Sequence, residues 1–144
     1  MLRTAESRIE QTKARLDLEL DAWLGTANSD RPWLVPLSFL WHDGALLFGI
    51  NASATTSWNI RASGRARVAL ADPRDVVLID GMATVSDITD LNEDVAARYL
   101  KKHASDVRAW ATGLLTVTPT KIQAWREEPE LEGKVIMRDG VWLS

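Results

Sequence analysis

The sequence predicts a mainly β (α+β) chain: a closed or partly closed antiparallel barrel of about six strands with helices at its edges. Three observations lead there. Apolar runs of strand length succeed one another from Trp23 to Arg126. Turn clusters separate them, among them Asn28-Ser29-Asp30-Arg31-Pro32, His42-Asp43-Gly44 and Asp72-Pro73-Arg74. Helical spacing is confined to three stretches that lie before or between the strands. With 144 residues, the chain reads as a single domain, 1–144, since one domain takes roughly 100–200 residues.

The first helix is expected from Thr4 to Ala22, where Ile9, Leu16 and Leu20 recur at helical spacing without Gly or Pro. Its charges oppose the helix dipole, with Arg3 and Arg8 at the start and Asp17, Glu19 and Asp21 at the end. Docking of the apolar stripe must therefore hold it. Trp23–Ala27 is the first strand. Trp33–Trp41 is apolar on both alternating faces, which predicts one strand covered on both sides. Pro36 has no N–H to give a ladder, so one side of that strand is unpaired or bulged. His42-Asp43-Gly44 turns the chain into Ala45–Ile50, and Ala54–Ser63 reads as a short helix closed by Gly64. Arg65–Ala71 and Asp75–Val85 are further strands. A helix follows over Leu91–Lys102, then a long strand, Leu114–Arg126, bent at Pro119. Lys134–Ser144 forms a hairpin around Asp139-Gly140.

Composition narrows the function. The 17 basic and 20 acidic residues leave a net charge of -3, with a pI near 5.4. A general nucleic-acid binder needs a basic face, so nucleic acid is not an expected partner. There is no cysteine, which removes thiolate, disulfide and cysteine-ligated metal chemistry. The two histidines, His42 and His103, are too few for a His-rich metal site, and no metal is expected. No apolar run approaches the roughly 20 residues of a membrane span, and the charged N-terminus is not a signal peptide. The expected protein is soluble and cytoplasmic, with no membrane partner. Seven tryptophans outnumber the three Phe and Tyr residues. Indoles are large and carry an N–H, so some of them are expected at a subunit interface or against a flat ligand, the others in the core.

No catalytic constellation is legible: there is no G-x-S-x-G, G-x-G-x-x-G or G-x-x-x-x-G-K-[ST]. Glu127, Glu128, Glu130 and Glu132 read as a solvated loop. The informative stretch is Gly44–Ala71, which contains no Asp or Glu although about four would be expected at the chain average. It carries Arg61, Arg65 and Arg67, and the hydroxyls of Ser53, Thr55, Thr56 and Ser57 fall at the start of the predicted helix. Free amides and the dipole favour an anion there. The feature reads either as a phosphate seat or as a capped helix beside solvated arginines. Ser38 and Gly49 read as a place where a flat ligand approaches the backbone, or as a tight barrel corner.

Several segments, in order, resemble the pyridoxamine 5'-phosphate oxidase-like, FMN-binding split-barrel family. Arg31-Pro32-Trp33-Leu34-Val35-Pro36-Leu37-Ser38-Phe39 resembles its R-P-x-L-V-P-[VIL]-x-F strand. Asn59-Ile60-Arg61 with Arg65–Leu70 resembles N-L-R…R-V-x-L. Asp75–Gly81 with Ala83 resembles D-V-V-x-[IV]-x-G-x-A, and the segments Ile122–Arg126 and Met137–Trp142 complete the series. The resemblance implies a six-stranded antiparallel split β-barrel with flanking helices that forms a homodimer. It further implies FMN in the groove between subunits, coenzyme F420 being the alternative, and oxidoreductase chemistry on a small-molecule redox substrate. A non-catalytic flavin- or haem-binding module is the other reading. The ring would lie along Val35, Pro36, Leu37 and Ser38. The phosphate would sit by Ile50, Thr55, Thr56, Ser57, Trp58, Asn59 and Arg61. Trp125, Arg126, Arg138 and Trp142 are candidates to reach across from the partner, with Trp58 or Trp142 as a lid.

Two departures stand out. Thr56 and Trp58 occupy the Lys and Arg places of the family's K-x-R-N-L motif, and Ile50 replaces a Thr. Losing one charge-assisted hydrogen bond costs about 1.5–3 kcal/mol, so cofactor affinity is expected to be lower or altered. No catalytic side chain is assigned, because a bound flavin would itself carry the redox chemistry.

Overall fold

The computed structural model describes residues 2–143. Among them are three helices, α1 (Ala5–Leu18), α2 (Thr55–Ser63) and α3 (Glu93–His103), and nine strands. Six strands are long: β1 (Asp21–Asn28), β2 (Arg31–Ser38), β4 (Ala45–Ile50), β5 (Arg65–Leu70), β6 (Val76–Asp87) and β7 (Gly113–Trp125). Three are short: β3 (Leu40–His42), β8 (Val135–Arg138) and β9 (Val141–Trp142). The hydrogen-bonded order is β2-β1-β5-β6-β7-β4-β3, with β8 on the far half of β7 and β9 beyond it. All pairings are antiparallel.

The connectivity explains the barrel. β2 and β3 stand at the two ends of that order, yet Phe39 alone separates them in the chain. The sheet must therefore curl until its ends meet, and β2 comes beside β4 with no ladder between them. This is the split. Phe39 plugs it from inside, fully buried, with its N–H donating to the Leu20 carbonyl at 3.0 Å. The barrel core is built from Leu24, Phe39, Leu46, Phe48, Val68, Ile79, Leu115, Val117 and Ile122. A second cluster, around Val95, Tyr99 and Val107, lies under α3.

Three expectations need correction. Helix α1 ends at Leu18, and Asp21 and Ala22 belong to β1. The acids at that end oppose a longer helix, whereas β1 gains ladders to β2 and β5. The run Trp33–Trp41 is not one strand, because the backbone turns the barrel corner at Phe39. Nor is that run covered on both sides. β2 pairs with β1 only, and Trp33 and Leu34 are 39% and 64% exposed in the single chain. The unpaired side inferred from Pro36 is there, and the whole outer edge of the strand shares it.

Turn chemistry sets the register elsewhere. Asp43-Gly44 and Asp139-Gly140 both adopt positive φ, the geometry of tight two-residue hairpins. The bend near Pro119 is a bulge: Asp80 faces Lys121 while Gly81 faces Pro119, leaving Thr120 as the extra residue.

Candidate functional site

The open edge of β2 and the start of α2 are the candidate site. α2 begins at Ala54, which offers no side-chain cap, and the segment holds no acid. The amides of Thr55, Thr56 and Ser57 have no acceptor among the described residues. Three N–H groups thus stand without an acceptor at the positive end of a helix dipole. Arg61 folds back over this turn. Its Nη1 donates to the Ala52 carbonyl at 2.6 Å and its guanidinium lies 5.3 Å from the Trp58 ring centroid, which is 60% exposed.

The other residues of the segment face inward. Thr56, Ser57 and Asn59 are buried. Ser57 Oγ donates to the Asn51 carbonyl at 2.8 Å, and Asn59 Nδ2 donates to Thr26 Oγ1 at 3.1 Å, tying α2 to β1. The Asn59 Oδ1 is buried without a donor. Ile50 is buried at the end of β4, where it pairs with Gly113.

On β2, Val35 and Leu37 pack partly against the core while Pro36 faces outward opposite Trp23. Ser38 Oγ donates to Asp21 Oδ1 at 2.7 Å. The corner that follows is clamped by α3. The Lys102 ammonium sits 4.1 Å from the Phe39 ring centroid, and His103 Nε2 is 2.8 Å from the Phe39 carbonyl. Burial pulls the Lys102 pKa down, against the opposing pull of Asp17, Asp21 and Glu19. His103 is therefore a structural clamp and not the solvated helix end its position suggests.

Trp125, Arg126, Arg138 and Trp142 lie elsewhere. Trp125 and Gly113, the partner of Ile50, are the two ends of the 13-residue β7, and at about 3.3 Å per residue they stand about 40 Å apart along the strand. Trp125 is half-buried under Lys134, and Lys13 covers Trp142. Arg126 contacts Asp75 at 3.4 Å and Gln11 at 2.9 Å, while Arg138 is exposed. Sequence reasoning missed the group beside them. Glu130, read as a solvated acid, is 4% exposed and accepts from Arg3 Nη2 at 2.7 Å and from the Arg126 amide at 2.8 Å. Hydrogen bonds from Arg3 hold its pKa down at about 2. The misplaced basic start of α1 is thereby answered, and the buried Arg8 guanidinium caps the Ala124 and Glu130 carbonyls at 2.9 Å.

Gly49 does not face Ser38. It pairs with Leu114, and a Cβ there would stand 2.3 Å from Val107 Cγ2, so close packing of the 107–111 turn accounts for it. Among the described residues no cluster of His, Asp and Glu is arranged to hold a metal, and no helix is long and apolar enough to cross a membrane.

Comparison with known proteins settles the family. The family model described as pyridoxamine 5'-phosphate oxidase matches residues 9–126, from the middle of α1 to the end of β7. The chain belongs to this family. Solved structures agree in fold at low identity. General Stress Protein 26 from Bacillus anthracis is 17% identical with a TM-score of 0.66, over 83% of this chain and 94% of that one. HutZ, the haem storage protein from Vibrio cholerae, is 13% identical with a TM-score of 0.68, over 81% and 94%. An FAD-binding protein from Mesorhizobium loti is 18% identical with a TM-score of 0.59, over 81% and 91%. No curated protein matches the chain.

Proposed function

We propose that this chain is a flavin-binding oxidoreductase that holds FMN between two copies of itself, with coenzyme F420 as the close rival. The observation that carries this is the pairing of an unpartnered apolar edge strand, β2, with the uncapped, acid-free first turn of α2. The residues present fit such a group. The amides of Thr55–Ser57, the Thr55 hydroxyl and Arg61 would hold the phosphate. The unpaired outer edge of β2 along Val35–Ser38 offers hydrogen bonds to a flat ring, and the exposed Trp58 could cover it. When bound, the flavin supplies hydride transfer. The chain's own part is to bind, orient and exclude water.

The partner's surface would complete the site. Arg138 is the cation best placed to reach across, since Arg126 is engaged within its own chain. The compact seat favours FMN over the longer, more anionic F420, because Thr56 and Trp58 bring no charge. A haem-storage reading, raised by the Vibrio neighbour, finds both histidines occupied: His103 on the Phe39 carbonyl and His42 beside Asp43 at 3.2 Å.

Tryptophan fluorescence titrated with FMN, then with F420, tests the proposal. Saturable quenching by FMN, and turnover on adding reduced nicotinamide with an electron acceptor, are the expected results. Quenching without turnover leaves a binding module, and no quenching by either cofactor defeats the flavin reading.

A further inference from the structure

The loop 51–53, which leads from β4 into α2, is held mostly from within. The Asn51 carbonyl accepts from the Ala54 amide at 3.0 Å and from Ser57 Oγ at 2.8 Å, and Asn51 Oδ1 accepts from the Ser53 amide at 2.8 Å. Among the described residues, one hydrogen bond alone reaches this loop from outside residues 51–61: the Ala52 amide donates to Thr112 Oγ1 at 2.9 Å. We infer that Thr112 is a positioning residue for the phosphate end of the cofactor, an inference that rests on the flavin reading above.

Ala52 passes the anchor on. Thr112 fixes its amide, and its carbonyl accepts from Arg61 Nη1 at 2.6 Å. Among the described residues Arg61 has no carboxylate within ion-pair distance. The Ala52 carbonyl and the Trp58 ring are neutral partners, so the charge of Arg61 is left for an anion at the first turn of α2. An exposed arginine has many rotamers to lose, and it keeps one direction only while its acceptor stands still. Holding that acceptor before the ligand arrives lowers the ordering cost of binding.

Thr112 is itself a fixed point. Ala111 before it is buried in the cluster under α3. The Thr112 amide donates to the Ile50 carbonyl, and the Thr112 carbonyl accepts from the Ile88 amide, each at 3.1 Å. Gly113 after it permits the close approach, since a Cβ there would stand 3.3 Å from Ala52 Cα. The second core cluster thereby sets where the Ala52 carbonyl stands, and with it the guanidinium.

The test compares FMN with riboflavin, the same ring without the phosphate, by tryptophan quenching of the full chain. Thr112→Val keeps the side-chain shape and removes the acceptor. It should weaken FMN about three- to tenfold, the worth of one neutral hydrogen bond, and leave riboflavin unchanged. Thr112→Ser should restore FMN affinity. In an Arg61→Ala chain, Thr112→Val should cost nothing further, because the anchor then has no cation to hold. Unchanged FMN affinity in Thr112→Val, equal loss of both flavins, or losses that add to that of Arg61→Ala overturn the inference while the flavin reading stands. A Thr112→Val chain that circular dichroism shows unfolded also overturns it, since the threonine would then support the fold rather than the seat. An unaltered chain that binds neither flavin defeats the flavin reading, and this inference with it.

Discussion

At the scale of single residues, the proposed phosphate seat rests on Arg61, because Thr56 and Trp58 stand at the charged places of the K-x-R-N-L pattern and bring no charge. Arg61→Ala removes the cation folded over the α2 start and also uncovers Trp58. FMN affinity should fall about ten- to a hundredfold, the worth of one charge-assisted hydrogen bond, with little change in melting temperature. Thr56→Lys should behave differently. Thr56 is 2% exposed, so a lysine there must carry its ammonium out of a packed position. The expected result is a lower melting temperature, while Thr55→Lys, at an exposed position one residue earlier, should tighten FMN. A titration in which Thr56→Lys tightens FMN and Thr55→Lys does not would place the phosphate on the other side of the turn. Composition revealed this segment through its missing acids. It could not reveal that Thr56, Ser57 and Asn59 turn inward, because three polar residues within four positions look solvent-facing until the helix phase is known.

At the scale of elements, helices are held by groups distant in sequence, which is why their boundaries were the least legible part. α1 begins with the wrong charges for its dipole, and Glu130, 127 residues from Arg3, answers them. The Glu130 carboxyl titrates near 2 in the fold against an ordinary 4.5. A carboxylate with a lowered pKa contributes stability above its unfolded value, and that contribution is lost as pH falls through about 4.5 toward 2. Thermal melts should show a decline over that window that Glu130→Gln lacks. At neutral pH the same substitution should cost about 1.5–3 kcal/mol, since it replaces the charge-assisted hydrogen bonds from the half-buried Arg3 with neutral ones. α3 offers the opposite case. Its last carbonyl turn is closed by Ala104 at φ 53°, a left-handed conformation that favours glycine. Ala104→Gly should stabilise the chain by about 1 kcal/mol, read as a shift in the urea midpoint at constant m-value. Gly49 is a glycine for the reverse reason, space, and the sequence could not distinguish the two: its neighbour Val107 is distant in the chain.

At the scale of the whole molecule, the strand pattern was largely legible because each face of a β-strand is written in alternate residues and each hairpin in its turn pair. β2 was the exception, and its misreading is informative. A run apolar on both faces normally means burial on both faces, yet β2 lies at a sheet edge with Trp33, Leu34 and Pro36 in the open. None of the seven tryptophans is buried within the chain, and Trp23 and Trp33 flank this surface at 43% and 39% exposure. Pattern and structure agree if the missing cover is a second copy, since a sequence records the burial of the assembled protein and a single chain shows only part of it. A stable dimer buries about 1,200–2,000 Å² in total, which the outer faces of β1 and β2 together with Arg138 and its hairpin could supply. Leu34→Asp places a charge at the centre of that surface while touching no core residue. Sedimentation velocity should then show a folded monomer where the unaltered chain sediments as a dimer, and FMN quenching should be lost with the dimer. A monomeric variant that still binds FMN at full affinity would confine the flavin site to one chain. An unaltered chain that already sediments as a monomer would leave β2 an open edge and remove the groove on which the flavin proposal stands.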